Sequence, residues 1–227
     1  MLWKRASLLI HTERRQAAGH GFIRDLETWT EVIGSRPEAN LYRAGLREYQ
    51  FALLALVQGQ YRQAFMALRL SLELLLGGVF LSANELELRV WLSGRSDMVW
   101  NSLNHEETGV LSKRFIGPFF ESLAERASTY QALTRAVYRE CSEYVHGSAT
   151  TYNRLPESIA FDSGAFLDWH EKAKSVRLIV HFALSSRYLL FLEKPHRSML
   201  EPILLDNLGH IADIREVFGA SVEPTNA

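Results

Sequence analysis

An all-α fold is predicted by three observations. Apolar residues recur at three- and four-residue spacing along nearly the whole chain, alternating runs of β-branched residues are scarce, and Gly, Pro and Asn clusters divide the pattern into segments of helical length. The architecture that follows is a helical bundle. Its four-helix core is expected from 41–58, 60–82, 128–147 and 163–193, with helical extensions at both ends. The corresponding division of the chain is 1–36, 37–195 and 196–227.

In 1–36, arginines at 14, 15, 24 and 36 surround Phe22, Leu26, Trp29 and Ile33. This pattern predicts two short helices forming an N-terminal extension, closed between Gly34 and Pro37. A helical hairpin follows over 41–58 and 61–81, turning at Gly59, and its second arm is so apolar that a central position is expected. Asn84, with Glu87 three residues on, has the form of a capping box for a helix ending near Gly94. Asp97 can open another short helix through Trp100. Residues 104–118, rich in Gly and in turn-forming side chains, read as loop. Ser128 stands where a cap would begin the next helix, and Gly147 where a left-handed residue would end it. After a long irregular connection or minor hairpin over 150–163, a long helix is expected over 163–193, stopped by Pro195. Short helices over 199–207 and 211–218 and a disordered tail complete the reading.

Composition narrows the function classes. The formal net charge is −1, which argues against coating nucleic acid through bulk electrostatics but leaves room for a local basic site. Cys141 is the only cysteine, so neither an internal disulfide nor a cysteine-based zinc site is possible, in keeping with a reducing cytoplasm. The N-terminal apolar run is too short and too soon charged for a good signal peptide. Arg177, His181 and Arg187 interrupt the apolar stretch 176–192, which reads as a buried amphipathic helix, so a cytoplasmic protein without a membrane span is expected.

The segment carrying chemistry is Tyr138-Arg139-Glu140-Cys141-Ser142-Glu143-Tyr144-Val145-His146-Gly147. Seven positions along a helix return to within ~20° of the starting direction after a rise of about 10 Å, so Arg139 and His146 share a face near the helix end. A guanidinium offers a fixed fork for phosphate, and an imidazole exchanges protons near neutrality. Arg135 and Ser142 or Glu143 extend the polar stripe, while Leu133, Val137, Cys141 and Val145 mark the core side. Arg69 and Glu73 interrupt the most apolar helix at i,i+4. They read as a buried pair that fixes its register, at a cost of about 3 kcal/mol if one partner is removed, or as supports that orient Arg139 or His146 from beneath.

Arg, six residues, then His at a helix end in an all-helical chain resembles the HEPN superfamily (higher eukaryotes and prokaryotes nucleotide-binding domain), over roughly residues 41–193. Where many members have Asn or Asp after the arginine, this chain has Glu140. The resemblance implies a four-helix HEPN-like core and a metal-independent endoribonuclease acting on single-stranded RNA in a bacterial defence or toxin-like role. Arg139 and His146 would be catalytic, with Glu140, Ser142, Glu143, Arg135, Arg69 and Glu73 supporting. It also implies a homodimer, RNA as partner, an antitoxin or defence protein as a further one, and no cofactor. A non-catalytic HEPN-like module that binds a partner protein or nucleotide is the alternative; Glu140 and Glu143, as carboxylates that would repel RNA, favour it.

Competing constellations are weaker. Glu143-x-x-His146 matches one half of a di-iron carboxylate motif, but no second Glu-x-x-His occurs. Asp168, His170 and Ser175 have hydrolase-triad types without the Gly-x-Ser-x-Gly turn that would expose a nucleophile. Cys141 belongs to the core side and is not expected to act as a nucleophile.

Overall fold

The helix predicted to be central is central. In the computed structural model, which describes residues 2–146 and 148–219, eleven α-helical segments occur among the described residues, with no strand. They are α1 Leu2–Val32, α2 Ala39–Val57, α3 Tyr61–Leu81, α4 Glu85–Leu92, α5 Trp100–Leu103, α6 Lys113–Ile116, α7 Ala127–Val145, α8 Ala149–Tyr152, α9 Ser163–Tyr188, α10 Lys194–Leu208 and α11 Ala212–Val217. Helix α3 buries Ala64, Phe65, Leu68, Leu72, Leu75 and Leu76 at helical spacing and packs against α2, α7 and α9. It is long and apolar enough to cross a bilayer, yet here it forms the middle of an all-α bundle.

Two glycines shape the α2–α3 hairpin. Gly59 turns with φ +73°, a left-handed conformation that side-chain-bearing residues avoid, and a Cβ there would lie 2.8 Å from the Ala160 carbonyl oxygen. Gly45 lets the two helices approach: Ser71 Oγ donates to its carbonyl at 2.7 Å, and a Cβ would fall 2.7 Å from Leu75 Cγ. Helix α9 is tied to α3 by Trp169 Nε1, which donates to the Ala64 carbonyl at 3.1 Å, and is capped by the Asp162 carboxylate accepting from Ala165 N–H at 2.7 Å.

Several local expectations are corrected. The two short helices expected in 1–36 are one continuous α1. Glycine at positions 19 and 21 costs about 1 kcal/mol each relative to alanine, and burial of Phe22, Leu26, Trp29 and Ile33 in the main core offsets this. The same stretch carries a buried polar chain: Trp29 Nε1 donates to His181 Nδ1 at 3.2 Å, and His181 Nε2 meets Asp25 Oδ2 at 3.2 Å. Asn84 stands at the N-terminus of α4 without capping it, because its amide donates back to the Phe80 carbonyl at 2.7 Å. The helix expected from Asp97 starts only at Trp100. Ser128 is not a cap either, since the 3₁₀ turn Glu121–Arg126 runs straight into α7. Pro195 does not end the long helix. That helix closes at Tyr188 and a 3₁₀ turn, and Pro195 sits in the first turn of α10, where its missing N–H has no intrahelical partner to lose. The expected turn at Gly147 and the tail 220–227 lie outside the described residues.

Candidate functional site

Helix α7 has the two faces its sequence predicts. Val137, Cys141 and Tyr144 are buried, and the Tyr144 ring stacks on Phe65 with centroids 4.0 Å apart. Leu133 and Val145, expected on the same side, are half-buried at its margin. Burial pushes the Cys141 thiol up to about 12, so it remains an inert core group. On the other face Arg135 and Arg139 are exposed, and His146 is exposed at the C-terminal cap, its backbone N–H donating to the Ser142 carbonyl at 3.2 Å. Arg62 of α3 completes this helix end by donating from Nε to the Tyr144 carbonyl at 3.0 Å and from Nη2 to that of Val145 at 3.4 Å. A guanidinium there satisfies orphan carbonyls and complements the negative end of the helix dipole.

Arg139 and His146 open into one cleft of about 740 Å³, together with Arg69, Arg135 and Ser142. Among the described residues neither the Arg139 guanidinium nor the His146 ring has a hydrogen-bond or ion-pair partner. Arg135 faces Glu106 at 3.6 Å, an exposed pair of little energetic weight. The cleft floor is aromatic. Tyr138 stacks flat on Trp100 with centroids 3.5 Å apart, and the Arg69 guanidinium lies over the Tyr138 ring at 4.5 Å. Glu73 Oε1 accepts from the Tyr138 hydroxyl at 2.7 Å and from Arg69 Nη2 at 3.1 Å, and Arg69 also bonds the Tyr138 oxygen. Burial, reinforced by the Glu73 carboxylate, raises the Tyr138 phenol above its ordinary range, so it stays a hydroxyl. The Arg69–Glu73 pair thus does sit under α7, but what it orients is Tyr138, the neighbour of Arg139.

The rest of the wall comes from α5 and the turn after it: Asn101, Asn104, His105 and Glu106. Gln131 of α7 anchors this turn by donating to the carbonyls of His105 at 3.0 Å and Glu106 at 3.3 Å. His105 Nδ1 accepts from the backbone N–H groups of Glu107 and Thr108, each at 3.3 Å, and lies 3.1 Å from Thr108 Oγ1. With Nδ1 accepting, the ring hydrogen is carried on Nε2. Two buried polar atoms of the lining, Arg69 Nε and Asn104 Oδ1, have no protein partner.

Glu140 and Glu143 are not among the groups lining the cleft. Glu140 and Asp168 both bind Lys172, Asp168 at 3.2 Å, and Glu143 lines a neighbouring cavity with Arg154 and Lys172. Burial alone would lower the Lys172 ammonium, but the two carboxylates outweigh it and its pKa rises. Glu143 and His146 therefore line different cavities, not a common metal site. The triad types separate as well: Asp168 serves Lys172, Ser175 Oγ donates to the Glu171 carbonyl at 3.2 Å, and His170 is buried, its pKa pushed down to about 4 by burial and by Arg15.

No protein-family model, curated protein or solved structure matches this chain. The HEPN resemblance thus rests on the motif and its helical setting. Nothing local in the sequence marks Trp100, Asn101, Asn104 and His105 as cleft residues, because a loop-rich segment reaches α7 only through tertiary contacts. Tyr138 carries one local signal, its place one residue before Arg139.

Proposed function

We propose that this chain is a metal-independent endoribonuclease that cleaves single-stranded RNA. The observation that carries the reading is the shared cleft, in which Arg139 and His146 are exposed and unpaired beside Arg69 and Arg135 over an aromatic floor. Glu140 and Glu143 lie on the Lys172 side, and the carboxylate on the cleft wall, Glu106, faces Arg135 at 3.6 Å, which supports the reading because unpaired carboxylates there would repel phosphate. In the reaction the ribose 2′-oxygen attacks the adjacent phosphorus and the bond from phosphorus to the 5′-oxygen breaks. His146 takes the 2′-hydroxyl proton and returns a proton to the departing 5′-oxygen, while Arg139 holds the non-bridging oxygens as charge develops there. The products are a 2′,3′-cyclic phosphate and a 5′-hydroxyl. A defence or toxin-like role, a homodimer and an antitoxin or defence-protein partner belong to the same proposal through the family resemblance.

The deciding experiment is incubation of single-stranded RNA with the full chain in EDTA, with end analysis of any products. Cyclic phosphate ends support the reading; intact RNA at high protein concentration refutes it. A second reading, a non-catalytic module that binds a partner protein, is favoured by an exposed apolar row on α2. Phe51, Leu54 and Val57, three residues apart in turn, are 52, 53 and 53% exposed.

A further inference from the structure

On the far side of α5 lies a second and larger cavity, about 870 Å³, which meets the arginine cleft where Asn101 and His105 line both. We propose that this cavity is a nucleobase subsite, occupied by an unpaired base of the RNA strand whose phosphate lies against Arg139. This inference rests on the ribonuclease reading and specifies its substrate: the strand must be unpaired next to the scissile phosphate.

A base has two apolar faces and a polar edge, so a site for it needs aromatic walls and a few hydrogen-bonding groups. Trp91, Phe115 and Phe119 supply the walls, and Asp97, Asn101 and Thr108 the edge partners. The phenylalanine rings contact each other, with Arg187 lying over Phe119 at 4.1 Å. Trp91 is half-buried and packs against the Leu41, Leu81 and Leu88 cluster; no aromatic ring stacks on it among the described residues, and it lines the cavity, so its indole can take a base there. The volume falls within the range of roughly 300–1,000 Å³ that small-molecule sites occupy. A lipid chain is a poorer occupant, because Glu87, Asp97 and Arg114 also line the cavity and would be desolvated without partners. At the junction His105 carries its ring hydrogen on Nε2, since Nδ1 is already accepting. That places one defined donor and the Asn101 amide where the sugar-phosphate would pass from one cavity to the other.

The test uses the full chain carrying His146→Ala, so that RNA is bound without being cut. Fluorescence anisotropy compares a labelled single-stranded RNA with an abasic ribose-phosphate strand of the same length. The base-bearing strand should bind about tenfold more tightly, the scale of one base stacked on an aromatic side chain. Adding Trp91→Ala should remove most of that difference while leaving the abasic strand unaffected, and Trp91→Phe should restore it. If circular dichroism shows that Trp91→Ala disturbs the fold, Ser102→Met, at an exposed residue of the cavity lining, should reduce the same difference by narrowing the site. Equal affinity for the two strands, or an equal loss for both in Trp91→Ala, overturns the subsite. The ribonuclease reading is judged separately by cleavage with the unaltered chain. Failure of both strands to bind at low salt also overturns the subsite.

Discussion

Removing the Glu73 carboxylate tests how the floor of the cleft is held. Glu73 Oε1 accepts from both Arg69 and the Tyr138 hydroxyl, and the two charged side chains are 22 and 18% exposed. An exposed pair contributes about 0.2–1 kcal/mol, and stranding one member of a fully buried pair costs about 3–5 kcal/mol. Partial exposure places Glu73→Ala between these limits, at about 2 kcal/mol, below the 3 kcal/mol that a fully buried pair would give. Tyr138→Phe loses two hydrogen bonds to charged groups, one given to Glu73 and one taken from Arg69, about 1.5–3 kcal/mol together at this partly exposed site. Both substitutions remove the same bond, so the double variant should cost about 1 kcal/mol less than the sum of the singles. Urea denaturation followed by circular dichroism measures each value, with an unchanged slope required for the comparison. A loss below about 0.3 kcal/mol for Glu73→Ala would show that water replaces the carboxylate and would refute the account of a built floor.

Arg139→Ala and His146→Ala should each reduce RNA cleavage by at least about a hundredfold. Stability should stay within about 0.5 kcal/mol, because both side chains are exposed and unpaired; a variant that unfolds would point to a structural role. In a homodimer with α7 helices antiparallel across the two-fold axis, His146 of one copy approaches Arg139 of the other. Mixing the two inactive variants should then recover activity, and a monomer by light scattering at micromolar concentration would exclude that arrangement. Burial holds the His170 and His181 rings below their ordinary pKa, His170 at about 4 with Arg15 adding to the effect, and His181 despite the opposing bond to Asp25. The unfolded chain takes up protons near pH 6.5 that the folded chain refuses, so stability is fully present above that value and declines as pH falls towards 4. An unchanged urea midpoint across that window would contradict the burial argument. Gly59→Ala should cost about 1–2 kcal/mol, since φ is +73° and the added Cβ meets the Ala160 carbonyl; a stabilised variant would mean that the turn relaxes freely.

Helical class, the central position of α3 and the two faces of α7 were all legible in the sequence, because each depends on the periodicity of one segment, and period alone sets which side chains share a face. The Arg139–His146 pairing was legible for the same reason. The capping and helix-end signals were less reliable. Asn84, Ser128 and Pro195 carry side chains that suit several positions near a helix terminus, and the choice is made by what packs next to them. Glu140 illustrates the limit most clearly: adjacency to Arg139 in sequence places it beside the phosphate site, yet one residue turns a helix by about 100° and Lys172 of α9 holds it on the other side. The cleft itself was decided by tertiary structure alone. Trp100, Asn101 and His105 reach Arg139 only because Gln131 and the Trp100–Tyr138 stack fasten a loop-rich segment to α7, and contacts between segments so far apart in the chain leave no periodic trace in either one.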